Sequence, residues 1–247
     1  MIEAGSLIRS LSGRPAARNF HTFVINEIGQ GIVTGKYPVG SILASDAVMM
    51  ETYGVSRTVL REALKTLEAK GLVEARPKVG TRVSLPSRWS FFDPQVLSWH
   101  FYAKPDRHFY ESLFDVRRAL EIRAAALATQ RRTAENIRVM KYWLHQMESA
   151  GGDLENHGIA ALEIHRTVAE TSGNALLRSV TGIVELTVAL ALKQCLAQGP
   201  GDYLATTLEA LTRLVAAIGN ADAAEATAIV GEVIDLDEAR VMASVQA

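Results

Sequence analysis

The residues best placed for chemistry lie in the turn Tyr53-Gly54-Val55-Ser56-Arg57 and the run Thr58-Val59-Leu60-Arg61-Glu62-Ala63-Leu64. If a helix starts at Ser56, its free N–H groups and positive dipole end favour phosphate oxygens, and the serine hydroxyl adds a donor. Arg57, Thr58 and Arg61 then fall in the first two turns, on faces that the apolar stripe Leu60, Ala63, Leu64 and Leu67 leaves free. Two guanidinium groups so placed can pair with guanine O6 and N7 or with phosphate. For an isolated Arg-Glu pair, solvated surface charge is the plainer reading. Catalytic patterns are missing: there is no phosphate loop, no nucleophile elbow and no His-carboxylate pair at catalytic spacing, so an enzyme is not expected.

The elements that would hold this turn can be read outward from it. Phe20, Phe23, Val24, Ile28 and Ile32 recur at helical spacing and mark a first helix that ends at Gly35. Lys36-Tyr37-Pro38-Val39-Gly40 is a turn. Ser45 or Asp46 caps a short second helix that Gly54 stops, and Ser56 caps a third that runs to about Lys70. From Leu72 to Leu85 two short β-branched runs flank Pro77 and Gly80, which reads as a hairpin. Three helices and a hairpin wing make a winged helix-turn-helix, here over residues 18–86. Residues 1–17 lack periodicity and read as a flexible leader. Residues 87–106 read as an aromatic linker, in which Trp89 and Trp99 are expected to pack two domains together. Beyond Arg107 only helical patterns remain, broken near Arg132, Gly151, Ser172, Gly199 and Gly219, so residues 107–247 are expected to form an all-α bundle of six or seven helices.

Charge divides the chain at the same boundary. The 247 residues sum to −1, but residues 14–88 carry a net +5 and residues 89–247 a net −6. A basic segment ahead of an acidic one suggests that the first meets a polyanion. The single Cys195 excludes an internal disulfide and a thiolate zinc cluster, which favours the cytoplasm. The most apolar stretch, Ile183 to Leu192, is interrupted by Glu185 and stopped by Lys193; it reads as a buried helix, not a membrane span.

Together these residues resemble a known family. Gly35 to Gly40, Gly54-Val55-Ser56-Arg57, Arg61-Glu62-Ala63-Leu64, Leu67, Gly71-Leu72-Val73 and Gly80 are similar, in order and spacing, to the winged-helix signature of GntR-family regulators. The resemblance implies double-stranded DNA contacts from Ser56, Arg57, Thr58 and Arg61, with Lys78, Gly80 and Thr81 carried to the minor groove by the wing. Two positions depart from the pattern. Leu43-Ala44-Ser45-Asp46 replaces the usual Leu-Pro-Ser-Glu, and Ala47 stands where some relatives place an arginine, so no contact is assigned to it.

Residues 107–245 resemble the FadR-type effector domain, or FCD domain, through Asp115 to Glu121, His165 to Ala169 with Ser172-Gly173-Asn174, and Asp222 to Ala226. This implies a homodimer on a palindromic operator and a small-molecule cavity in the bundle. Many such domains hold a metal through an Asp and three His. Here His165 matches one of them, while Ala161, Leu211 and Val233 stand at the others, so neither metal nor other cofactor is expected. The effector is then expected to meet Arg117 first, as a carboxylate, and His165 second, with Arg118, Glu121 and Lys193 as further contacts. Asn174 is expected to cap the next helix. The stretch Arg88 to Trp99 is similar to that of sugar-acid-responsive repressors, which points to a hydroxy acid. The rival is a metal-dependent or acyl-CoA-responsive regulator of the same architecture.

Overall fold

The computed structural model describes residues 5–11, 20–104, 106–179 and 181–245. They divide into two compact units, one within residues 15–104 and the other combining residues 1–14 with 105–247.

The first unit is the winged helix. Helix α2 spans Phe20–Val33, α3 Asp46–Tyr53 and α4 Arg57–Ala69 (α1 belongs to the other unit). Ser45 and Ser56 cap α3 and α4 by accepting the N–H of Val48 and Val59, as their positions before each apolar run require. Leu60, Ala63 and Leu67 of α4 pack with Val24, Ile28 and Ile32 of α2 into one core. Strands β1 (Val73–Arg76) and β2 (Gly80–Val83) pair antiparallel, Val73 opposite Val83, and Ile42 bridges to Arg82 beside them.

The expected linker is largely part of this core. Pro94–His100 forms helix α5, capped by Asp93, and Trp99 is 2% exposed. Its indole lies against Gly29, where an added Cβ would come within 2.3 Å of the ring, and its Nε1 donates to Asn26 Oδ1 at 3.2 Å. Asp93 pairs with Lys70 at 2.6 Å, and Trp89 Nε1 donates to the Ser84 carbonyl at 3.2 Å. Trp99 thus buries itself in a notch of the winged helix and Trp89 packs, partly buried, against the same core.

The second unit is helical. It comprises α6 (Arg107–Arg131), α7 (Ala134–Ala150), α8 (Leu154–Thr171), α9 (Ala175–Ser179), α10 (Thr181–Gln198), α11 (Tyr203–Gly219) and α12 (Ala223–Met242). Asp106, Thr133, Asp153 and Asp222 cap four of these, and Asn174 caps α9 by accepting the N–H of Leu176. Helix α10 is buried almost all round, from Ile183 to Leu192, as a helix without a polar face must be. No helix among the described residues is long and apolar enough to cross a membrane.

Part of the expected flexible leader is ordered. Ser6–Ser10 forms helix α1 on the second unit, with Ile8 fully buried. Five residues are too few to show a period, but Leu7-Ile8 is an apolar pair that a fitted groove can bury. Residues 1–4 and 12–17 of that leader lie outside the described residues.

Candidate operator interface and effector site

Helix α4 and the wing face a common groove. An open space of about 500 Å³ is bounded by Arg57, Thr58, Arg61 and Lys65 of α4 and by Ala75 and Thr81 of the hairpin. Ser56 caps α4 directly before Arg57 and is not part of the groove lining. Lys78, with φ 63°, and Gly80 form the hairpin tip and stand outside the groove lining. Asp46, Glu62 and Glu68 also line the groove. Lys65 neutralises Glu62 at 2.9 Å and, by donating to it, lowers its pKa; Glu68 accepts the Ala75 N–H at 3.1 Å. Among the described residues none pairs with the side chains of Arg57, Arg61 or Lys78, which leaves three cations for a polyanion. Lys65 was missed in the sequence, although it lies one turn beyond Arg61 on the same face.

In the second unit the structure gathers three of the five expected effector residues and separates two. Arg117, Glu121 and His165 line one cavity of about 20 Å³, with Leu120, Val168 and Val184, which is room for about one water. Arg118 turns away to the surface of α12, pairing with Asp235 at 2.5 Å and Glu238 at 3.2 Å. Neighbours on a helix are 100° apart, so Arg117 and Arg118 cannot share a face. Lys193 is half-buried on α10 outside the cavity lining, and burial lowers its pKa.

Arg117 is no open anion receptor. Its Nε donates to Glu121 at 2.6 Å and its Nη1 to Asp237 at 2.5 Å, while Nη2 is buried without a partner among the described residues. Burial opposes its charge, but the two carboxylates outweigh burial and raise its pKa. Glu121 also meets His165 Nδ1 at 2.6 Å. Burial pushes the Glu121 carboxyl up, yet His165 and Arg117 together bring it down to about 2. Tyr203 donates its hydroxyl to Asp237 at 2.5 Å, and burial holds that phenol well above its usual range. His157, buried on α8, has an Nε2 without a partner among the described residues and a pKa lowered to about 4 by burial.

Asp237 and Tyr203 were missed by sequence reasoning, whereas His157 lies about two turns before His165 on the same helix and, with Glu163, is the nearest alternative donor the sequence offers. Asp237 could have been noticed, because it occupies an inward position in the stripe Val230, Val233, Ile234 and Val241. At the family's metal positions, Ala161, Leu211 and Val233 are all buried and apolar. They offer no donor atom, so the residues present do not fit a metal.

Both units match families of known proteins. Residues 21–83 match the family model for bacterial regulatory proteins of the gntR family, and residues 112–236 match that for the FCD domain. The chain is 28% identical to the HTH-type transcriptional regulator YieP of Escherichia coli, over 80% of this chain and 94% of the relative. It is 28% identical to the galactonate operon transcriptional repressor of Escherichia coli, over 64% of this chain and 69% of the relative. Lar of Listeria monocytogenes superposes with a TM-score of 0.67 at 17% identity, covering 93% of this chain and 99% of Lar. The E. coli regulator McbR/YncC does so at 0.55 and 17%, covering 93% and 99%. These structures share the fold, and the family consists of transcriptional regulators, not enzymes. The chain belongs to the GntR family of bacterial transcriptional regulators, in the group that carries a C-terminal FCD domain.

Proposed function

We propose that this regulator is a homodimeric cytoplasmic repressor that holds a palindromic operator and releases it when a small carboxylate metabolite binds between α6, α8 and α10, where the cavity of about 20 Å³ must widen to admit it. The observation that carries the DNA half is the groove in which Arg57, Thr58 and Arg61 of α4 stand opposite Thr81 of the wing, with Arg57 and Arg61 unpaired among the described residues. Ser56 and the α4 N-terminus serve a phosphate, the arginines reach base edges or phosphates, and Lys78 and Gly80 carry the wing to the minor groove.

The effector reading rests on Arg117, Glu121 and His165 meeting at one cavity and on the likeness to the galactonate operon repressor. Two guanidinium nitrogens are already engaged, so Nη2 is the donor that remains for the metabolite. Its hydroxyl groups then bond to Glu121 and His165. A hydroxy acid suits such a mixed set better than a bare anion: each brings one carboxylate to a centre that already holds two, but only the hydroxy acid offers hydroxyl groups to bond to Glu121 and His165 in return. Binding shifts operator affinity only by the difference in effector affinity between the two arrangements.

A thermal-shift screen of D-galactonate, other hexonates, dicarboxylates, acyl-CoAs and divalent metals tests this reading. A sugar acid should raise the melting temperature and weaken operator binding. A response to metals or acyl-CoAs alone would overturn it.

A further inference from the structure

Helix α1 occupies a seat built from α8 and α10. Gly158 of α8 makes room for it: an added Cβ there would come within 3.1 Å of Ile8 Cγ2 and 2.3 Å of Leu192 Cδ1. Helix α10 supplies Glu185, the one charged side chain in the stretch Ile183 to Leu192. Its Oε1 accepts the Leu7 N–H at 2.9 Å, and the Gly5 N–H also bonds to it. A carboxylate in an apolar helix needs donors, and the first turn of a helix has N–H groups without partners of their own. The notch and the acid are independent features of the effector domain, and both serve the same five-residue helix.

The seat shares its helices with the effector cavity. His165 and Val168 of α8, with Ile183 and Val184 of α10, line that cavity, and Glu185 follows directly in sequence. Close-packed helices pass a displacement on instead of absorbing it. In the other direction, nine residues of sequence, 11–19, lead from α1 to α2, the first helix of the winged-helix unit. The winged helix is therefore tethered to the effector domain twice: by the chain that enters α6 and by the chain that leaves α1.

We propose that α1 is a regulatory strap: seated on α8 and α10 it restrains the winged helix in operator-competent arrangements, and a metabolite that moves α10 loosens it. The coupling rests on the reading of this chain as an effector-controlled operator binder, whereas the seating does not.

The test uses the full chain, an Ile8→Asp variant, which alters the strap and leaves its seat intact, and a chain lacking residues 1–11. Hydrogen exchange should show amides of residues 5–11 protected at least about tenfold in the intact chain, with protection lost in Ile8→Asp. On an operator selected from random duplexes by the intact chain, both variants should bind at least about fivefold more weakly, the lower end of ordinary allosteric coupling. If residues 5–11 exchange freely in the intact chain, there is no seat and the proposal fails. If both variants bind within twofold of the intact chain after protection is lost, α1 is packing only and the proposal fails. If the intact chain selects no operator, the reading beneath it falls first and the coupling falls with it, even where the protection is found.

Discussion

Arg117 and Asp237 meet at 2.5 Å inside the second unit, joining α6 to α12 across 120 residues of chain. Glu121 takes the Nε of the same guanidinium and Tyr203 bonds the far oxygen of Asp237, so one cation is held by two buried carboxylates. Arg117 is thereby a structural centre as well as a candidate effector contact. Its Nη2 is buried without a partner among the described residues.

Removal of that cation should be costly. Arg117→Ala leaves Asp237 buried without its counter-charge and Glu121 with His165 alone, and breaking a buried pair from one side costs about 3–5 kcal/mol. Urea denaturation at pH 7 reads this directly. A loss below about 1 kcal/mol would show the cluster to be solvated.

His157 sets an acid limit. Its pKa is about 4 in the folded chain against 6.5 in model peptides, so between those values the unfolded chain binds a proton that the folded chain does not. Stability should therefore fall as pH drops from 6.5 towards 4, by up to about 3 kcal/mol. Glu121 acts in a lower window: its depressed pKa gives stability above 4.5 that is lost as pH falls towards about 2. Denaturation of His157→Leu at pH 7.5, 6.0 and 4.5 should show the upper slope flattened. An unchanged slope would assign the acid sensitivity to another group.

The wing and the recognition helix should differ in kind. Arg57→Ala and Arg61→Ala should each weaken the cognate operator by about 1–3 kcal/mol if they read bases, whereas Lys78→Ala should weaken all duplexes alike and reduce the salt slope by about 1. Binding to cognate and scrambled duplexes at several salt concentrations separates the two. Equal losses on both duplexes for Arg57→Ala would make Arg57 a phosphate contact.

Trp99 should stabilise the winged helix from outside the three-helix motif. Trp99→Ala opens a cavity against Gly29 and should cost about 3–5 kcal/mol. Asn26 would also lose a donor. Thermal unfolding of the winged-helix unit would show it, and an unaltered transition would contradict the packing.

Local signals made the winged helix legible. Ser56 as cap, Leu60, Ala63 and Leu67 as stripe and Gly80 in the hairpin each act within a few residues, so spacing alone locates them. Helix α5 was hidden because aromatic residues after a Pro-Ser-Arg break read equally well as a linker, and only the notch at Gly29 decides where Trp99 goes. The effector centre was half visible. Arg117, Glu121 and His165 lie on recognisable motifs, but Asp237 and Tyr203 reach them from α12 and α11, over distances in sequence that no periodicity spans. That Lys193 stands outside the lining of the small cavity was not legible, because an apolar helix does not announce which of its sides faces which neighbour.

Selection from random duplexes by the intact chain, repeated with the Arg57→Ala/Arg61→Ala double variant, tests the operator reading of α4 most directly. The intact chain should enrich an inverted repeat with half-sites about one helical turn apart, roughly 34–36 Å, and the double variant should enrich none. Enrichment of the same sequence by the double variant, at unchanged affinity, would contradict it.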